Sequence, residues 1–273
     1  MIGAIAGDII GSVYEHESTK DKHFELFPPG SRFTDDTVLT VAVASWLLTD
    51  EGWSSFRLAR LLADFYEMYP RVGFGGGFRA WAKSGSRRPY GSYGNGSAMR
   101  VSPVAWVTDR YERATFLAER SAAVTHNHPE GIRGAMATAA AVYIARTGGT
   151  KSDIKRCCSA PPIGYNLDRS LEEIREGYSF EVSCQRSVPE AITCVLEAES
   201  FEDAVRNAVS LGGDADTQAC IAGAIAEGLW GVPEEIATRA MSYLDPYLES
   251  VVTDFIGTFV SPAPCTCREP VKP

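Results

Sequence analysis

Two segments, VLTVAVASWLL at 38–48 and ACIAGAIAEGLW at 219–230, carry apolar or small side chains on almost every helical face. Helices of that composition belong inside a bundle rather than on its surface. Segments 53–69, 110–124, 131–146, 188–198 and 201–210 space their apolar positions helically, without period-two alternation, and predict flanking helices. Pro129, Pro189 and Gly148-Gly149 supply starts or stops. No strand is needed, so the expected class is all-α, and no Pro/Gly/Ser linker divides the chain. GAIAGDIIG at 3–11 echoes GAIAEGLWG at 223–231. One pair without a fixed period reads as coincidence among small residues and does not support a solenoid.

Length and composition narrow the class. The 273 residues suffice for one large domain or two small ones and for burial of about 75% of the unfolded surface. Hydrophobic residues at 45% and charged residues at 22% exclude a disordered or fibrous chain. Lys plus Arg total 26 against 35 Asp plus Glu, a net charge of −9, which argues against nucleic acid or an anionic membrane as the main partner. Seven cysteines without framework spacing fit a reducing compartment. The first residues lack a basic region, Asp8 interrupts their apolar run, and no window offers the roughly 20 apolar residues of a membrane span. A cytoplasmic protein is expected. Residues 261–273 hold several prolines around Cys265-x-Cys267 and read as a disordered tail in preference to a soft-metal site.

The candidate chemistry sits where acids interrupt the apolar pattern. Phe33-Thr34-Asp35-Asp36-Thr37 precedes the first buried segment, and Gly212-Gly213-Asp214-Ala215-Asp216-Thr217 precedes the second. Capping accounts for one acid per helix, since an acid in a first turn complements the helix dipole by about 0.3–1 kcal/mol. It does not account for pairs: carboxylates near 4 Å repel by about 4 kcal/mol at an effective dielectric of 20. No Lys or Arg occurs from Phe33 to Trp46 or from Leu211 to Trp230, so a bound cation is the economical counter-charge. Carboxylates and hydroxyls are hard ligands, favouring magnesium, manganese or calcium over zinc. Only the fold can unite two turns so distant in sequence; side by side, they would offer oxygens enough for two cations.

Glycine-rich stretches give a second signal. Gly73-Phe-Gly-Gly-Gly-Phe78 lacks the spacing of a nucleotide fingerprint and reads as a flexible turn. Tyr90-Gly-Ser-Tyr-Gly-Asn-Gly-Ser-Ala-Met-Arg100 offers glycines for close approach, hydroxyls at Ser92 and Ser97, and backbone N–H groups that could form an anion nest for phosphate. His126 and His128 are candidates for hydrogen bonds to a phosphate or ribose.

GDIIGSVYE at 7–15, FTDDT at 33–37, GSYGNGSAMR at 91–100, THNHPEG at 125–131 and SLGGDADTQACIAGAIAEGLWG at 210–231, in that order, resemble the ADP-ribosylglycohydrolase family. The resemblance implies a compact, single-domain orthogonal helical bundle over 1–260, with a binuclear magnesium or manganese site at the N-termini of the two buried helices. It implies removal of ADP-ribose from a modified protein or small molecule by hydrolysis of the C1″ bond; a monomer is expected. Carried over by position, Thr34, Asp35, Asp36, Asp214, Asp216 and Thr217 become metal ligands. Ser92, Tyr93, Gly94, Asn95, Gly96 and His126 become substrate contacts, with Tyr93 a candidate to stack on adenine. Glu15 matches a glutamate that a mobile segment places over the metals; on sequence alone it reads as a solvated acid.

Asp35 and Asp36, then Glu15, are the expected catalytic carboxylates, activating water and assisting departure of the leaving group. The resemblance leans towards serine-linked or other O-linked ADP-ribose. Arginine-specific hydrolysis, a non-catalytic ADP-ribose-binding or crystallin-like role, and a metal-dependent cut of the diphosphate are the alternatives.

Overall fold

Residues 1–260 are described by a computed structural model, and the tail with Cys265 and Cys267 lies outside them. Among the described residues the regular structure is helical, with one isolated bridge between Gly94 and Ser183. The helices are α1 (Ile2–Gly11), α2 (Asp35–Thr49), α3 (Ser55–Met68), α4 (Gly76–Lys83), α5 (Gly96–Met99), α6 (Tyr111–Ala123) and α7 (Pro129–Arg146). They continue with α8 (Lys151–Ser159), α9 (Leu171–Gly177), α10 (Cys184–Leu196), α11 (Phe201–Val209), α12 (Ala215–Trp230), α13 (Glu234–Met241) and α14 (Pro246–Phe255). No described helix is long and apolar enough to cross a membrane.

The two segments expected inside are α2 and α12, each buried over nearly its whole length. A third central helix, α1, was not anticipated, because nine or ten small and apolar residues do not declare a helix by periodicity. Its partner is α12. A Cβ on Gly7 would collide with the backbone carbonyl of Ala219, and Gly3 and Gly223 each stand where the other's carbonyl leaves no room for a side chain. The echo between 3–11 and 223–231 is therefore physical: two small-residue faces meet and let the backbones approach. This contact places the C-terminal end of α1 beside the N-terminus of α12, since Gly11 abuts Ala215 and Asp216.

Two local expectations are corrected. Pro189 is not a boundary but lies inside α10, and the N–H it lacks leaves only the carbonyl of the exposed Gln185 without its usual helical donor. The stretch 73–78 is not wholly a flexible turn, because its second half opens α4 and Phe74 and Phe78 enter the core. Short helices such as α8 and α9 declare themselves by capping boxes, Thr150 with Asp153 and Ser170 with Glu173. Cys157, Cys158, Cys184, Cys194 and Cys220 are all free thiols.

Candidate functional site

The termini gathered by this packing open into a cavity of about 460 Å³, a size suited to a nucleotide-like ligand. At one end Glu15, Asp35, Asp36, Asp214 and Asp216 line it, and the fully buried Asp8 is grouped with Asp36 and Asp216. Oxygens of Asp8, Asp36 and Asp216 lie within 4.8 Å of one another, and so do those of Glu15, Asp214 and Asp216. Asp216 belongs to both groups. None of the six is ion-paired to Lys or Arg among the described residues; Glu15 meets only His16, at 3.6 Å.

Helix capping does not account for these acids. The hydroxyl of Thr34, not a carboxylate, caps α2 by accepting from the amide of Asp36, and Asp214 makes no side-chain cap on α12. The acids are instead turned towards one another. Burial, with mutual repulsion added, drives the carboxyls of Asp36 and Asp216 well above the usual range, and burial raises those of Asp8, Asp214 and Glu15. Asp35 is pushed up to about 8, by burial first and then by Asp8 and Asp214. Asp36 Oδ1 is buried without a hydrogen-bond partner. A crowd of hard oxygen donors with an orphaned oxygen and no organic cation fits a divalent metal ion.

Asp8 is the residue that sequence reasoning missed. Fully buried on α1, it accepts from the amide of Thr34 at 2.9 Å, the hydroxyl of Thr34 at 2.6 Å and the amide of Thr37 at 3.1 Å, fixing the turn before α2. The signal was available: a lone Asp in an otherwise apolar helix. Thr34 and Thr217 both point hydroxyls at Asp36 Oδ2, at 3.4 and 3.3 Å. Asp35 lies outside both three-acid groups; its amide donates to Val72 at 2.9 Å and its carboxylate faces Gly73, whose φ of +110° favours glycine.

Glu15 is not the solvated acid that sequence alone suggested. It lines the cavity in a turn closed by amide bonds from Tyr14 and Glu15 to Gly11. Lys20 ties down the following strand-free segment through the carbonyls of Arg175, Tyr178 and Leu211, the last at 2.5 Å and three residues before Asp214.

The other end is built around residues 90–100. Ser92, Gly94, Asn95 and Gly96 line the cavity, and Asn95 Nδ2 donates to Asp214 at 2.6 Å, joining the two ends. The amides of Gly91, Gly94 and Asn95 are taken by Asn127, Ser92 and Val182, so these three do not form the free anion nest expected. Ligand-facing polarity comes instead from Ser92, His126 and Arg100. Arg100 is fully buried, bonds Thr125 Oγ1 at 2.8 Å, and leaves Nε and Nη1 without partners. Thr125 Oγ1 lies 2.7 Å from His126 Nδ1. The hydroxyl thus links Arg100 to His126 Nδ1 and leaves ring Nε2 beside Gly94 and Gly96. Burial, aided by Arg100, holds His126 well below its usual pKa, so the ring stays neutral.

Two expected contacts fall elsewhere. His128 is exposed and caps α7 by accepting from Glu130. Tyr93 does not line the cavity; 53% exposed, it packs against His128 at the rim, while Tyr90 takes a place in the wall.

A family profile described as ADP-ribosylglycohydrolase matches residues 1–260. ADP-ribosylhydrolase ARH3 of Mus musculus is 28% identical, covering 86% of this chain and 83% of its own, and that of Homo sapiens is 27% identical over 86% and 85%. ADP-ribosylarginine hydrolase Tri1 of Pseudomonas putida is 25% identical over 85% of this chain and 70% of its own. A solved structure titled ADP-ribosylglycohydrolase-related protein complex superposes with a TM-score of 0.70 at 21% identity, covering 93% of this chain and 95% of that one.

Proposed function

The chain belongs to the ADP-ribosylglycohydrolase family and is a hydrolase acting on ADP-ribosylated substrates, and on that premise we propose that it uses two divalent cations, magnesium or manganese, to cleave the C1″ bond of serine-linked or other O-linked ADP-ribose. The single observation that carries this reading is the pair of three-carboxylate groups sharing Asp216 at one end of a nucleotide-sized cavity. Thr34, Asp35, Asp36, Asp214, Asp216 and Thr217 would hold the cations. When bound, they supply counter-charge and orientation for substrate hydroxyls.

The chain's own groups do the rest. Asp35, outside both groups, has oxygens left for proton transfer to or from the reacting water; Asp36 and Glu15 are the other carboxylates near the reacting carbon. Ser92, Gly94, Asn95, Gly96 and Nε2 of neutral His126 hold the diphosphate and ribose, and Arg100 places a guanidinium with free Nε and Nη1 behind them. Tyr93 presents an exposed ring at the rim on which adenine can stack. The free thiols Cys157, Cys158, Cys184, Cys194 and Cys220 suit a cytoplasmic location.

The lean towards serine linkage rests on several ARH3 relatives; the similarity to an ADP-ribosylarginine hydrolase keeps the N-linked reading in play. Serine-linked and arginine-linked ADP-ribosyl peptides, each offered with magnesium, manganese or chelator, separate the readings. Release of intact ADP-ribose from the serine peptide in metal, and none in chelator, is expected. Release only from the arginine peptide reverses the linkage, AMP marks diphosphate cleavage, and binding without release marks a binding protein.

A further inference from the structure

A second cavity of about 370 Å³ lies against the first, and Phe180 stands in the wall of both. It is built by residues 169–190, which none of the five sequence motifs covers. Tyr178 fastens this segment to the acidic end of the main cavity. Its hydroxyl accepts from Gln218 Nε2 at 2.5 Å, and a Cβ on Gly213, next to Asp214, would meet its ring at 2.8 Å. The second cavity therefore borders the carboxylates, where the bond to the leaving group is broken.

Its charges are nearly self-satisfied, with one exception. Arg186 pairs with Glu181 at 3.2 Å, and Arg169 pairs with Glu190 Oε1. Glu190 is only 4% exposed, yet Oε2 has no partner. Glu173 adds a third carboxylate against the two arginines, so the lining is one charge negative. An acceptor-only oxygen in a net negative, polar cavity selects a cationic donor. Phe180, 60% exposed, offers an apolar ledge between the two cavities.

We infer that the second cavity receives the polypeptide of the ADP-ribosylated substrate, and that a Lys or Arg side chain neighbouring the modified residue donates to Glu190 Oε2 while the chain crosses Phe180. This rests on the hydrolase reading above and adds what that reading lacks, a basis for choosing among protein targets. Glu190 and Phe180 are then specificity residues, and the bond broken is unchanged.

The test uses serine-linked ADP-ribosyl peptides that differ only in a neighbouring Lys, Ala or Glu, with ADP-ribosyl-serine as a substrate lacking polypeptide. In magnesium the wild-type enzyme should favour the Lys peptide over the Glu peptide by about tenfold in kcat/KM, mainly through KM. Glu190→Gln should erase that preference without altering hydrolysis of ADP-ribosyl-serine, and Phe180→Ala, in the wall of both cavities, should raise KM for the three peptides more than for ADP-ribosyl-serine. Equal wild-type rates on the Lys and Glu peptides overturn the proposal without any variant. Equal damage by Glu190→Gln to the peptides and to ADP-ribosyl-serine also overturns it, since that marks a structural role. If the wild-type enzyme leaves even ADP-ribosyl-serine intact, the serine-linkage reading fails first and this inference falls with it.

Discussion

At one end of the main cavity every functional oxygen belongs to a carboxylate or hydroxyl at or near a helix terminus, whereas at the other the ligand meets a hydroxyl, an imidazole and a guanidinium around a glycine-rich loop. The acidic end is frustrated as it stands: six acids, no paired Lys or Arg, and an orphaned oxygen on Asp36. The loop end is more settled, with the amides of Gly91, Gly94 and Asn95 and the Thr125 hydroxyl already bonded, while the guanidinium of Arg100 is short of partners. Electrostatics thus divides the labour. The first end is completed by cations and is where charge changes during reaction; the second recognises an anion already present in the substrate.

The sharpest way to break that division is Asp36→Asn. It removes a charge from the crowded end without removing a hydrogen bond that the fold depends on, since Oδ1 has none and Oδ2 is met only at 3.3–3.4 Å. Turnover should fall on the order of a thousandfold, while circular dichroism stays that of the wild type. The rise in Tm that magnesium gives the wild type should largely vanish. A variant that keeps both turnover and the magnesium shift would show that the frustration has another cause.

The same contrast predicts a pH effect confined to the acidic end. A carboxyl raised in the folded state binds its proton more tightly than in the unfolded chain, so its contribution to stability is full below the ordinary value and is lost as pH rises through the folded value. For Asp35 that window runs from 3.8 to about 8, and Asp36 and Asp216 shift in the same direction. In chelator, Tm should therefore fall as pH is raised through this range. Magnesium should flatten the fall and raise Tm more at the alkaline side, because protons no longer compete for the oxygens. A chelated protein whose Tm climbs over the same range contradicts the assignment.

These two ends also differ in how much the amino-acid sequence discloses. The acidic turns could be read because Asp35, Asp36, Asp214 and Asp216 sit beside apolar runs with no basic residue near, and buried α2 and α12 could be read from the same runs. Asp8 could not be separated from an ordinary interruption until Gly3, Gly7 and Gly11 were seen pressed against α12, a contact between helices at opposite ends of the chain. Glu15 was hidden for a related reason: its place depends on Lys20 reaching carbonyls of Arg175, Tyr178 and Leu211. At the loop end the glycines were legible as a site of close approach, but their amides turned out to serve the loop itself. The role of Arg100 needs Thr125 and His126 in space, which no spacing rule supplies.

A tenfold effect should come from that relay. Thr125→Val removes the hydroxyl that accepts from Arg100 and pairs with His126 Nδ1, leaving that ring nitrogen without a partner. ADP-ribose affinity should drop by about tenfold, with the magnesium-induced Tm shift retained, the reverse of Asp36→Asn. The nitrogen chemical shifts of His126 should change with the loss of the partner at Nδ1. Loss of affinity with unaltered nitrogen shifts would assign Thr125 a packing role only.

The smallest effect belongs to Tyr93, and it tests where the loop end stops. The ring is outside the cavity wall and rests on His128, itself engaged in capping α7, so nothing in the fold holds it for stability. An adenine stacked on the exposed face gains about 1 kcal/mol beyond simple burial, so Tyr93→Ala should weaken ADP-ribose roughly fivefold and Tyr93→Phe should restore it. Ribose 5-phosphate, which carries a phosphate but no base, should bind both variants and the wild type alike. If the Ala variant weakens ribose 5-phosphate as much as ADP-ribose, the ring supports the loop instead of the base, and Tyr90, already in the wall, becomes the aromatic surface nearest to the adenine.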